Sequence, residues 1–174
     1  MFFPLHPDTP PQGRSLDELF AGRRVDVQAM QIRMEKLMHA EGLPYSRRTH
    51  TYNSRLAQEL GKWAETQPAG DAIHDALYRA YFADACNIGD LDELVALAES
   101  VRLPADTARA VLTKRLFKDA VDADWAKSLR YGVTGVPTFI SGEHRVVGAQ
   151  PYEVLHKLLI QAGGTSNVVP LAEL

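Results

Sequence analysis

The sequence predicts an α/β protein in which a small sheet, with strands near both ends of the chain, is interrupted by a large all-helical insertion. Three stretches carry that expectation. Tyr131–Leu159 alternates turn residues, two β-prone runs and one amphipathic helix. Residues 15–130 place apolar side chains at helical spacing between cap residues. Met1–Leu5 is apolar and stops at prolines, as the end of a buried strand does.

In chain order, His6–Arg14 holds four prolines or glycines in nine positions and reads as a loop. Ser15-Leu16-Asp17-Glu18 is a capping-box pattern that opens a short helix carrying Leu16, Leu19 and Phe20. Val25, Met30, Met34, Leu37 and Met38 then form a stripe between Arg24 and Glu41, with Gly42 placed for a left-handed C-cap. A methionine stripe can serve as an adaptable binding surface, but core packing is the expected role. Asn53 is a good N-cap for a helix bearing Leu56, Leu60, Trp63 and Ala64, and Pro68-Ala69-Gly70 ends it. Asp71–Ala85 presents Ile73, Leu77, Ala80, Tyr81 and Phe82 on one side.

Asp90 with Glu93 caps a helix whose stripe is Leu91, Leu94, Leu97, Ala98 and Val101. Pro104 precedes the next, with Ala108, Val111, Leu112 and Leu116, and a last insertion helix, roughly Ala120–Tyr131, presents Val121, Trp125 and Leu129. Gly132, Gly135 and Pro137 then make a stiff turn, and Thr138–Ile140 and Arg145–Val147 read as a β-hairpin closed through Ser141-Gly142-Glu143-His144. Pro151 stands where a first helical residue belongs, ahead of Val154, Leu155, Leu158 and Leu159. The tail Thr165–Leu174 has no regular period and is expected on the surface or partly disordered.

Bulk properties exclude several function classes. The 174 residues are 45% hydrophobic and 24% charged, which suits one compact body, and a net charge of −3 with pI near 6.1 leaves no nucleic-acid footprint. There is no apolar run of membrane-spanning length and no signal-peptide pattern at the start, so a cytoplasmic location is expected. Cys86 is the one cysteine, so these residues form no intrachain disulfide and no thiol metal site. It reads as a small buried hydrophobe rather than a redox nucleophile. The six histidines show no zinc-binding spacing. Neither a metal nor a cofactor is expected.

The string Gly132-Val133-Thr134-Gly135-Val136-Pro137-Thr138-Phe139, followed by a hairpin, Gly148-Ala149-Gln150-Pro151 and an amphipathic helix, resembles the C-terminal half of the DsbA-like branch of the thioredoxin superfamily. It is most similar to the FrnE-like proteins, relatives of 2-hydroxychromene-2-carboxylate isomerases and kappa-class glutathione transferases. Phe3-Pro4-Leu5-His6-Pro7 with Pro10-Pro11-Gln12-Gly13, Asn53-Ser54-Arg55-Leu56-Ala57, and Ala80-Tyr81-Phe82 with Asn87-Ile88-Gly89-Asp90 resemble further stations of that family. The resemblance implies a thioredoxin-like sheet remnant from 1–14 and 131–164, a helical insertion at 15–130 and a tail at 165–174, with the first β-α unit and its Cys-x-x-Cys missing.

From the resemblance, the activity is thiol-disulfide exchange, and the catalytic residues lie outside this sequence. It also implies a cis bond at Val136-Pro137, whose backbone holds a protein or small-molecule thiol or disulfide, glutathione included. Asn53, Ala149 and Gln150 are the other candidate substrate-binding residues, Asn53 as a cap near the rim. Ala149-Gln150 stands where glutathione-using relatives place a polar pair such as Ser-Asp, which favours an oxidoreductase over a glutathione-dependent isomerase or transferase. A non-catalytic peptide-binding module is a further reading. Without the central strand, Met1–Leu5 and Thr138–Ile140 are expected to pair directly, to accept a strand from a second copy, or to belong to a longer gene product.

Overall fold

The structure, a computed structural model, describes residues 1–164; the tail at 165–174 lies outside the described residues. The chain divides into two units, one from Phe2 to Trp125 and one holding Met1 and the residues from Ala126 onward.

The larger unit begins with β1 (Arg14–Ser15) and α1 (Leu16–Leu19). The Ser15 hydroxyl accepts from the Glu18 N–H and the Glu18 carboxylate accepts from the Ser15 N–H, so both arms of the capping box are made. Then come α2 (Val27–Ala40), β2 (His50–Thr51), α3 (Arg55–Ala64), α4 (Ala72–Phe82), α5 (Leu91–Ser100), α6 (Ala105–Thr113) and the start of α7 (Lys118–Arg130), whose residues from Ala126 belong to the smaller unit. α3 packs against α4, α5 and α6, and α5 packs against α6. Leu60, Ile73, Leu94 and Ala108 are fully enclosed at their junction. Burying each aliphatic side chain of that size contributes about 1.5–3 kcal/mol, which makes this cluster the principal core of the unit.

Three expectations are corrected here. Met1–Leu5 forms no strand, and so does not pair with Thr138–Ile140; its backbone groups go elsewhere, the Phe2 N–H to the Asp124 carboxylate (2.9 Å) and the Phe3 carbonyl to the Gln58 amide (3.2 Å). α2 buries none of its residues; Met34 and Leu37 are exposed and Met30 and Met38 only half-buried, so its apolar stripe stays outside the core. Leu129 is exposed as well, while Val121 of the same helix is fully buried. The unit also holds a two-residue ladder that the sequence pattern did not suggest, Arg14 opposite Thr51 and Ser15 opposite His50. Residues 2–14 cluster with the helices through such contacts.

The smaller unit is a hairpin and a helix. β3 (Thr138–Ser141) runs antiparallel to β4 (His144–Val147), pairing Thr138 with Val147 and Ile140 with Arg145. Gly142 at φ +58° supplies the left-handed backbone that a two-residue hairpin turn demands. α8 (Tyr152–Gln161) packs back on both strands and buries Leu158. Phe139, Ile140 and Val147 remain exposed, and β3 has β4 as its sole strand neighbour among the described residues.

Candidate functional site

The turn ahead of β3 is pinned from several directions. The Val133 N–H donates to the Ser128 carbonyl (3.0 Å), ending α7. The Arg145 guanidinium donates through Nη1 to the Gly132 carbonyl (2.7 Å) and, more weakly, to that of Tyr131 (3.3 Å), so a β4 side chain braces the loop. The Thr138 hydroxyl donates to the Gly135 carbonyl (2.6 Å), and the Gly148 N–H to the Pro137 carbonyl (2.8 Å). Gly148 accomplishes this at φ +90°, in the conformational region that favours glycine. The Val136–Pro137 peptide is cis.

Within this frame Val136 stands apart. The residue is half exposed (51%), and among the described residues neither its N–H nor its carbonyl has a hydrogen-bond partner. A rigid turn thus presents one free donor and one free acceptor at the mouth of a strand with an open edge. A short extended chain could take up both.

Four of the five residues singled out from the sequence meet at this corner. The Gly148 bond to Pro137 carries the chain from the turn straight to Ala149 and Gln150. Gln150 turns inward, its amide donating to the Val147 carbonyl (2.7 Å), while Ala149 is exposed.

Asn53 belongs to the larger unit and works there as a brace. Its Oδ1 accepts from the Arg55 N–H (2.9 Å), so the helix's N-cap position falls on Ser54 and Asn53 acts one residue earlier. Both amide hydrogens are spent on the His6–Gly13 loop, at the carbonyls of Pro7 (2.8 Å) and Thr9 (3.1 Å). Asn87 pins the same loop at the Pro11 carbonyl (3.0 Å).

Cys86 follows α4, and burial, then the negative fields of Glu93 and Asp84, push its thiol above the ordinary value. It is therefore protonated at neutral pH and a poor nucleophile. Among the described residues no group of three metal-ligating side chains converges, and no helix is long and apolar enough to cross a membrane.

A charged cluster escaped the sequence reading. Glu59, buried in α3, accepts from Arg55 Nε (2.8 Å) and from Arg115 Nε and Nη2 (2.8 and 2.6 Å), and Arg55 also pairs with Asp122 (2.7 Å). Burial pushes the Glu59 carboxyl up, but the Arg115 and Arg55 hydrogen bonds outweigh it and hold the group below its usual range. Each member is saturated by another, so the cluster is a structural knot rather than a reaction centre.

A helical unit inserted ahead of a hairpin-plus-helix whose strand opens on Val-Pro defines a thioredoxin-like domain of the DsbA class. The sequence profile of the DSBA-like thioredoxin domain matches residues 2–160, and the chain belongs to that family. Among solved structures, a protein named as a probable DsbA oxidoreductase from Streptomyces coelicolor is 32% identical, with a TM-score of 0.78 over 95% of this chain and 74% of that one. A 2-hydroxychromene-2-carboxylate isomerase shares the fold at 19% identity, with a TM-score of 0.67 over 87% of this chain and 70% of that one. Protein YwbO of Bacillus subtilis is 30% identical over 115 residues, 63% of this chain, which thereby spans 55% of that relative's length.

Proposed function

We propose that this chain supplies the substrate-holding half of a FrnE-like thiol-disulfide oxidoreductase. The observation that carries the reading is Val136, a half-exposed residue whose N–H and carbonyl have no hydrogen-bond partner among the described residues, at the open end of β3. An extended segment beside a thiol or disulfide pairs with those two groups as a short added strand, and the apolar Phe139 and Ile140 flank it. The likeness to the Streptomyces protein supports an oxidoreductase. Asn53 contributes by shaping the His6–Gly13 loop, and Ala149-Gln150 by closing the corner below Pro137.

The 174 residues hold one cysteine, so a dithiol cannot form within them and they are redox-silent alone. A glutathione-dependent isomerase is less well supported, because Gln150 turns its amide onto the Val147 carbonyl rather than toward a ligand carboxylate.

Two measurements on the 174-residue chain test the proposal. In insulin reduction with dithiothreitol, no turnover above the reductant alone is expected, and turnover would defeat redox silence. In a nitrogen-15 NMR titration with reduced glutathione or a short cysteine-containing peptide, the Val136 and Phe139 amides should shift saturably. Shifts confined to other residues would remove the turn as the docking edge.

A further inference from the structure

We propose that residues 167–171, beyond α8, dock as a third strand along the open edge of β3, antiparallel to it, and so shield the Val136 turn from extended substrates. The regulatory part of this proposal rests on the substrate-holding reading, because tail and substrate compete for one edge; the docking of the tail stands on the geometry below.

The β3–β4 turn is two residues long, Gly142 and Glu143, so Ser141 and His144 form a hydrogen-bonded pair and every second pair from them does the same. Phe139 and Ser141 therefore spend their backbone groups on β4. The Pro137 carbonyl keeps that parity by accepting from the Gly148 N–H (2.8 Å). Val136, Thr138 and Ile140 aim theirs the other way, where those groups have no partner among the described residues. The edge is thus a row of three donors and three acceptors about 13 Å long, and β3 carries no charged side chain to guard it. The outer edge of β4 offers less, since the Gln150 amide already takes the Val147 carbonyl (2.7 Å).

The place where the described chain ends selects the occupant. α8 closes in a Schellman cap: the Gly163 N–H donates to the Ile160 carbonyl (3.0 Å) and the Gly164 N–H to the Leu159 carbonyl (2.9 Å), with Gly163 at φ +84°. This end lies beside the hairpin turn, where a Cβ on Gly142 would stand 3.8 Å from that of Ala162. A segment passing along β3 from here runs from Ser141 toward Val136, the antiparallel direction. Residues 165 and 166 bridge to Ile140, and the stretch 165–171 reaches about 23 Å, more than the edge requires. Pro170 fixes the register. With Asn167, Val169 and Leu171 opposite Ile140, Thr138 and Val136, its missing N–H falls on the solvent side, where an edge strand tolerates proline. A slip of one residue would turn Pro170 onto β3 and lose a bond. So short a tether holds the tail at an effective concentration in the millimolar range, above that of a second copy or a free peptide at micromolar levels.

The test is amide hydrogen exchange followed by NMR on the full 174-residue protein and two full-length variants. Val169→Pro removes an N–H that faces Thr138, and the Thr138 and Ile140 amides should then exchange about tenfold faster. Val168→Pro removes one that faces solvent and should leave both rates within about twofold. Three results would overturn the proposal: parent Thr138 and Ile140 amides that exchange as fast as those of an unstructured peptide, protection that grows with protein concentration and so comes from a second copy, or equal losses in the two variants. A cysteine-containing peptide should shift the Val136 amide at about tenfold lower concentration in Val169→Pro than in the parent. A peptide that shifts Val136 in none of the three proteins removes the substrate-holding reading alone, while the exchange rates still decide the docking of the tail.

Discussion

Glu59 and Arg115, 56 positions apart, meet in a two-pronged bond of 2.8 and 2.6 Å on a carboxylate that is only 1% exposed. The contact ties the end of α6 to the middle of α3, and Arg115 holds it from a left-handed backbone at φ +54°. Removing one partner of a buried pair leaves the other charge desolvated. Glu59→Gln should therefore cost about 3 kcal/mol, and Arg115→Ala less, because Arg55 still reaches Glu59. Urea unfolding followed by circular dichroism measures both; a loss under about 0.5 kcal/mol for Glu59→Gln, the range of an ordinary surface change, would refute the assignment.

The same cluster sets an acid limit. Asp122 is held at about 2 by hydrogen bonds from Arg55 and Lys118, and Glu59 is also lowered. Both carboxyls bind protons more weakly folded than unfolded. Their stabilisation is complete above the ordinary carboxylate range and disappears as pH falls through the folded values. The urea midpoint should drop between about pH 4 and pH 2. Asp122→Asn should flatten only a modest part of that slope, since water screens a side chain that is 44% exposed. An unchanged slope in Asp122→Asn would place the titrating groups elsewhere.

The free edge of β3 is a hazard as well as a docking place. An exposed apolar strand with one side unpaired invites pairing with another chain, and charge on the strand suppresses it. Phe139→Lys, opposite Val146, should lower concentration-dependent light scattering while leaving the hairpin folded. It should also weaken the shift of Val136 by a cysteine peptide. Equal scattering in the two proteins would show that association proceeds through another surface.

Features governed by near neighbours were legible in the sequence. The Ser15–Glu18 box, the Asp90 cap and the Gly142 turn each depend on residues within three positions, so local chemistry dictates them. The turn from Gly132 to Pro137 ahead of a strand was legible from its glycines and proline, whereas the cis bond at Val136–Pro137 was expected only from the family resemblance. Long-range facts were not. The stripe on α2 has the spacing of a core helix, yet whether a stripe is buried depends on what lies against it, and here no residue of the helix is fully buried. Glu59 sits beside Leu60 with no local sign that its partners are Arg55 and the distant Arg115. The β1–β2 ladder is two residues long, too short for any alternation to show.

Cys86 offers a direct check of its surroundings. With its thiol pushed up by burial and by Glu93 and Asp84, little thiolate exists at neutral pH. Iodoacetamide at pH 7.5 should modify it several-fold more slowly than it modifies free glutathione. Modification faster than glutathione would reveal an activating environment that these neighbours do not provide.

Gly70 reads in the sequence as a helix terminator, but its structural role is closeness. A Cβ built there would sit 1.8 Å from the Ala64 carbonyl oxygen and 2.6 Å from its carbon, both backbone atoms that cannot rotate aside. The preceding Ala69 already occupies a left-handed conformation (φ +56°), and the Gly70 N–H donates to the Gln67 carbonyl (3.1 Å), so the turn between α3 and α4 has little slack. Gly70→Ala must move the end of α3, where Trp63 and Ala64 are buried, and should cost at least the 1–3 kcal/mol typical of overpacking. Ala69→Gly, which relieves a conformation that favours glycine, should be neutral or stabilising by up to about 1 kcal/mol. Thermal melts of the two variants give opposite signs if backbone proximity governs Gly70; a Gly70→Ala protein as stable as the parent would mean that α3 and α4 separate more easily than their packing implies.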